Sequence, residues 1–457
     1  MLLTIISFIF VLSVVVFVHE FGHFILAKLN DVYVLTFSIG FGPKILKMRY
    51  GETEYAISII PFGGYNKFAG ETEEEEEDEA EIEEENDDEF DELDIPEHRT
   101  FRAKSPWRKI TIILAGPAMN LLLAYVLYVG SIWVQGVFMP ESYSVVDRVM
   151  EDSPAMEAGF ERGDIILAVN GEPLTYDNDL RHFVSGNDSG ELEFKVKRGA
   201  DTVYLFAAPS YNSEEERKTV GLLMSVPPRV GDVKQDSPAW NAGIRNGAYI
   251  RAVNDTTVHT FSEVAEMIHN SLGEKVRVTW EQDGVERSAE LETESIKLPA
   301  QGEGDKLDVV EAGSIGIKEY YVKEGVSFTE AIAYGSRAFW VMTVRILDFL
   351  KKLITGKASV KAVGGPLAIG KLAGDMVRWG FNYLISFIAF FSINLGIINL
   401  FPLLPFDGGH FVLYLFEGVS GRQVNARIKN GMMQVGFVLL IILMVMIMAL
   451  DIFNLFG

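Results

Sequence analysis

The sequence predicts a polytopic α-helical membrane protein: four transmembrane helices, a small membrane-associated β-hairpin or sheet, and two extracytoplasmic α+β domains. Three observations predict it. Apolar runs at residues 2–18, 110–133, 381–404 and 432–450 match the ~17–25 residues that a spanning helix needs. The chain is 48% hydrophobic and 23% charged, and the two kinds are segregated, so the stretch between the second and third runs is polar enough to be soluble. Within that stretch one motif occurs twice.

Taken in order, residues 1–29 form the first span. A cleavable leader would carry a basic n-region and end at small residues, whereas this run continues into His19-Glu20 and is expected to be retained. Residues 30–70 read as a β-hairpin region, because 46–60 alternates apolar and polar residues around Gly51, between Gly40-Phe41-Gly42-Pro43 and Pro61-Phe62-Gly63-Gly64. Residues 71–100 read as an acidic, disordered cytoplasmic loop. Of the 64 acids, 18 lie between Glu71 and Asp94, so most of the net charge of −24 is local, and such a segment buries too little apolar surface to fold. The second span is 106–134. Basic residues flank the loop before it (Lys28, Lys44, Arg99, Lys104 and Arg108 among them), and Arg422, Arg427 and Lys429 lie between spans three and four. The positive-inside rule makes both loops cytoplasmic and puts the polar stretch outside.

In that stretch Asp152-Ser153-Pro154-Ala155 through Ala158-Gly159 and Gly163 recurs as Asp236-Ser237-Pro238-Ala239 through Ala242-Gly243 and Gly247, offset by 84 residues. A unit of this length suits two similar domains and not a solenoid. Around it lie β-rich runs at 192–196 and 275–280 and a helix-like run at 261–270, with Ser262 as the expected cap. The pattern S-P-A-x-x-A-G-x-x-x-G-D followed by I-I-x-A-V-N-G resembles a circularly permuted bacterial PDZ domain. The resemblance implies PDZ (α+β) domains at 142–219 and 220–312, with peptide ligands that add a strand to a sheet edge. The second copy departs from the pattern at Ala248, where the first has Asp164, and at Asn254-Asp255, where the first has Asn170-Gly171. Residues 327–356 mix apolar residues with Arg337, Arg345, Asp348, Lys351 and Lys352, and are expected to lie along the membrane as an amphipathic helix. The third span with its motif (378–410) and the fourth span (430–454) complete the chain.

His19-Glu20-Phe21-Gly22-His23 is an H-E-x-x-H motif. Residues four apart share a helix face, so both imidazoles can hold one ion while Glu20 reaches the attacking water. The plain alternative is two surface histidines beside an unrelated acid. Against it, His19 follows about 17 apolar residues, about 25 Å along the span and still within the hydrocarbon. A charge at a helix centre there costs about 2.5–3.5 kcal/mol, so such groups face a polar cavity or a partner. The chain has no cysteine, which confines metal ligands to histidine and carboxylate, and a catalytic zinc takes about three of them plus an open position. Asp407 is the candidate third ligand. Pro402 and Pro405 break the third span beside it, and spans one and three run in the same direction, so their ends meet at one membrane face. His410 competes for the place, although orientation or packing fits it better. Two histidines and a carboxylate also suit iron; Glu20 within the motif favours zinc hydrolysis.

H-E-F-G-H in the first span, G-F-G-P after it, G-P-A-M-N in the second and N-x-x-P-x-x-x-x-D-G in the third resemble the site-2 protease family of intramembrane zinc metalloproteases. The PDZ pair between spans two and three is similar to its bacterial RseP branch, although Phe406 replaces the usual Leu before Asp407-Gly408. The resemblance implies one Zn2+ per chain on His19, His23 and Asp407, with Glu20 as general base. It implies a bacterial inner membrane, an active site towards the cytoplasm and periplasmic PDZ domains. The implied substrates are single-pass membrane proteins of the anti-sigma-factor type, cut within the membrane after trimming outside, with remnant signal peptides as a second class. Asn399 is implied to hold the substrate or the developing oxyanion, and the hairpin to offer a strand edge near 56–60. The expected substrate-binding residues are therefore Asn399, Asn394, Ile57 and Ile59. No nucleic-acid partner is expected. Two other classes stay open: a scaffold with a structural metal, which would need no Glu20, and a metal transporter, for which the spans show no inverted repeat.

Overall fold

The computed structural model describes residues 2–71, 95–140, 145–173, 180–185, 190–212, 217–301, 307–358 and 364–456. Of the loop at 71–100 expected to be disordered, 72–94 lie outside the described residues, whereas Glu97–Arg99 form a 3-10 turn and the Arg99 carbonyl accepts from the Tyr33 amide at 2.8 Å. The chain divides into two units, Met1–Ile132 with Phe328–Gly457, and Trp133–Ser327.

The first unit contains helices α1 (Leu2–Leu29), α2 (Pro106–Gln135), α3 (Phe328–Ile354), α4 (Pro366–Trp379), α5 (Phe381–Asn399), α6 (Asp407–Ser420) and α7 (Ala426–Phe456). Of these, α1, α2, α5 and α7 are long and apolar enough to cross a membrane, which agrees with the four predicted spans. The residues Val435, Phe437, Val438, Ile442 and Val445 of α7 are each more than half exposed, an apolar surface that lipid covers at no cost and water does not. The third span ends at Asn399 and not at 404, because Pro402 and Pro405 remove backbone donors; the chain restarts as α6 at Asp407.

Helix α4 was not legible in the sequence, being short and charged. It docks on α1 through Gly370 and Gly374, where a Cβ at Gly374 would stand 2.6 Å from Thr4 Oγ1, so only a small residue lets the helices approach. Buried Asp451 of α7 caps its start, accepting from the amides of Gly365, Leu367 and Ala368 at 3.0, 3.1 and 3.2 Å. Helix α3, expected along the membrane surface, buries Ala331, Gly335 and Ile346 and packs on α2, where Tyr125 Oη meets Ser336 Oγ at 3.2 Å.

Strands β1 (Val34–Tyr50) and β2 (Thr53–Phe68) turn at Gly51, whose φ of 62° suits glycine. Bulges fold each strand on itself and make four paired segments. Residues 36–39 pair with 64–67 on one side and with 54–57 on the other, and 44–49 pair with 54–58 beyond. The sheet edges are therefore 44–50 and 64–68. Glu52 at the turn is fixed to the end of α1 by Lys28 (2.5 Å) and to Arg99 (2.7 Å).

The second unit holds two similar lobes. In the first, the strand order is Leu222–Ser225, Val145–Val149, Ile165–Val169, Leu192–Arg198, Asp201–Ala207, over a core including Ile166 and Phe194. In the second, Tyr249–Val253, Lys275–Gln282 and Val285–Glu292 form the matching sheet over Ile250 and Trp280, while Val230–Val233 pairs with Ile317–Glu319. The repeated motif is a helix start: Ser153 and Ser237 cap the one-turn helices Pro154–Glu157 and Pro238–Asn241 by accepting from the amides of Met156 and Trp240, and Asp152 and Asp236 take φ of 53° and 61°. Asn254-Asp255 replaces Asn170-Gly171 without changing the turn, since all four residues have positive φ.

Each lobe closes with a strand beyond the expected boundary. Leu222–Ser225 pairs with Val145–Val149, and Ile317–Glu319 with Val230–Val233, so the limits 219 and 312 cut off the last strand of each lobe. The helix at Phe261–His269 is capped by Thr260 and not by Ser262: Thr260 and Glu263 form a reciprocal capping box, and Ser262 instead meets Ser225.

Candidate metal centre

One turn of α1 separates His19 from His23, and each residue is only 7% exposed. The Nδ1–H of His23 donates to the Ile112 carbonyl of α2 at 2.9 Å, which leaves Nε2 as a lone pair. That nitrogen lies 3.2 Å from His19 Nε2 and 3.6 Å from Asp407 Oδ2, and His19 Nε2 lies 3.2 Å from the same oxygen. A tetrahedral ion about 2.0–2.1 Å from each ligand would space them about 3.3–3.4 Å apart. Asp407 Oδ2 is buried and accepts no hydrogen bond from the described residues, so the three atoms present electron density to one another and want a cation between them.

The partner of His19 fits the same reading. Its Nδ1 lies 3.2 Å from the Asn120 amide nitrogen, and the Asn120 oxygen is buried without a partner among the described residues. Exchanging the amide's two ends lets Nδ1–H donate to Oδ1, which frees Nε2 for a metal. Helix α2 comes this close because residue 116 is glycine: a Cβ there would stand 2.2 Å from His23 Nε2. Likewise a Cβ at Gly408 would stand 2.3 Å from the Leu400 carbonyl carbon, so glycine permits the tight fold that returns Asp407 to the site.

Glu20 points between this cluster and the sheet edge. The Asn66 amide donates to Glu20 Oε2 at 2.9 Å and to the Glu20 carbonyl at 2.9 Å. A cavity of about 650 Å³ joins these groups, and Gly64, Tyr65 and His410 also line it. Of the residues singled out in the sequence, His19, Glu20, His23, Asn399 and Asp407 come together here, with Asn399 Nδ2 at 3.3 Å from His19 Nε2. His410 lines the cavity but stacks on Tyr414 and stands outside the cluster of potential ligands.

Three expected substrate residues are not brought to the cavity. Asn394 donates to Phe390 O within its own helix at 2.9 Å. Ile57 and Ile59, 48% and 59% exposed, do not line it either. The reason is the bulged sheet: residue 57 sits on an interior segment paired on both sides, and the edge beside Glu20 is 64–68. Asn66, Asn120 and Gly116 were missed; for Asn120 the G-P-A-M-N run was the available signal, and Asn66 had none.

A buried pair of histidines, a carboxylate from a distant helix and an adjacent glutamate meet as a candidate metallopeptidase centre among apolar helices. Comparison with known proteins agrees: residues 7–443 match Peptidase family M50, and the chain belongs to that family of metalloproteases, the site-2 proteases. It is similar to the regulator of sigma-E protease RseP of Escherichia coli (30% identity, 96% of each chain) and to the regulator of sigma E protease of Haemophilus influenzae (30%, 96% of each). A Neisseria meningitidis protein named as a zinc metalloprotease is 31% identical over 99% of this chain and 100% of its own length.

Proposed function

We propose that this protein cuts single-pass membrane proteins within their transmembrane segments, with His19, His23 and Asp407 holding one zinc and Glu20 acting as base. The observation that carries this reading is the meeting of donor atoms from residues 19, 23 and 407 within 4.8 Å of one another, in a bundle of apolar helices. Bound there, zinc would supply Lewis acidity to the scissile carbonyl and the attacking water. Glu20 takes the proton of that water and returns it to the leaving amine. Asn399 turns its amide towards the same space and donates to the developing oxyanion.

A helical substrate hides its carbonyls behind i to i−4 hydrogen bonds, so it unwinds before it is cut. The edge at 64–68 offers the freed backbone groups partners that lipid lacks, and replaces 56–60 in that role. Relatives named as regulators of sigma-E make an anti-sigma factor the proposed substrate type. Basic loops support an inner-membrane orientation with the site towards the cytoplasm and the second unit periplasmic. The lobes of that unit are read as PDZ domains that gate by size or dock a trimmed end. The second lobe supports docking with a groove of about 270 Å³ between the helix at Phe261–His269 and the strand at Ile317–Glu319, walled by Val264, Ile268 and Ile315.

The test is Glu20→Gln in the full chain with a single-pass model substrate in detergent. Zinc content is expected to stay at the wild-type level while cleavage is lost; cleavage at the wild-type rate would discard the mechanism.

A further inference from the structure

We propose that Asn66 is a positioning residue for the catalytic base, holding the Glu20 carboxylate from the sheet edge in the orientation that faces the attacking water. The inference rests on reading Glu20 as that base. A glutamate has three rotatable bonds, and beside a metal centre an untethered carboxylate can swing towards the ion or out to solvent. Asn66 removes that freedom with two hydrogen bonds of 2.9 Å, one to Glu20 Oε2 and one to the Glu20 carbonyl oxygen. One amide thus grips both the side chain and the main chain of the same residue, and it engages Oε2 of the carboxylate.

The contact belongs to a close approach of strand and helix. A Cβ at Gly64 would stand 2.9 Å from Glu20 Cγ, so a larger residue there would push the edge, and Asn66 with it, away from α1. The role depends on the donor and not only on shape. The Asn66 oxygen is buried and has no hydrogen-bond partner among the described residues, so the amide is oriented through its nitrogen; reversed, it would set its oxygen against the carboxylate. Holding a reactive group by a neighbour of this kind is worth about 10–100-fold in activity where comparable contacts have been removed.

The experiment compares Asn66→Ala and Asn66→Asp with wild type in the full-length protein, reading zinc content, kcat and KM on a single-pass substrate. Both variants are expected to keep wild-type zinc and a KM within about twofold, and to lose kcat by about 10–100-fold. The aspartate, equal in shape, sets a carboxylate in place of the donor against Glu20 and should lose at least as much as alanine. Wild-type kcat in Asn66→Asp, a loss confined to KM, or loss of zinc in either variant would each overturn the proposal. Failure of the parent reading looks different: Glu20→Gln would then still cleave, whereas if both readings hold, adding Asn66→Ala to Glu20→Gln changes nothing further.

Discussion

His23 can bind a metal only because its other nitrogen is already committed to the Ile112 carbonyl, and His19 meets Asn120 in the same way. Ligand chemistry demands particular residue types at particular spacings, which is why His19, Glu20, His23 and Asp407 were legible in the sequence. The amides of Asn66 and Asn120 were not, since a residue that orients a ligand has no required spacing from it. Ile57 and Ile59 misled for a related reason: alternation tells which side chains share a face, and not which segment ends at the edge after a bulge. Gly116 gives the sharpest prediction at this scale. An added methyl would meet His23 Nε2 at 2.2 Å and His19 Cε1 at 2.8 Å, while alanine favours the helix, so Gly116→Ala should fold and lose zinc affinity. We expect a loss of about tenfold or more in a chelator competition; unchanged affinity would mean that α2 does not press on the ligands.

The four spans were legible because their length and apolarity leave no other reading, and the third was overrun only where prolines interrupt it. Helix α4 was not, since what holds it is tertiary: glycines against α1 and a carboxylate from α7 at its first turn. Asp451 is only 4% exposed and accepts three backbone amides, a capping arrangement supplied from a helix 83 or more residues further on in sequence. Asp451→Ala should destabilise the first unit by about 0.5–2 kcal/mol, the usual worth of a cap, and lower the unfolding temperature in detergent. Asp451→Asn keeps one acceptor and should fall between alanine and wild type; three equal unfolding temperatures would show that the cap contributes nothing.

At the scale of the whole chain, the repeat and its divergence are both explained by what each lobe buries. Asp164, 1% exposed, is held by Arg198 at 2.7 Å; the matching positions of the second lobe are Ala248 and Gln282, so both partners of the ion pair are replaced together. The motif Ser-Pro-Ala was visible because it starts a helix in each copy, whereas the closing strands at Leu222–Ser225 and Ile317–Glu319 lie outside it and pair across the lobe. The catalytic reading depends on a similar long-range meeting, of α1 with the start of α6. Metal analysis of the purified protein carrying His23→Phe or Asp407→Asn tests it most directly. Wild type should carry one zinc per chain and both variants should lose it; zinc retained in full by Asp407→Asn would contradict the convergence of these helices on a single ion.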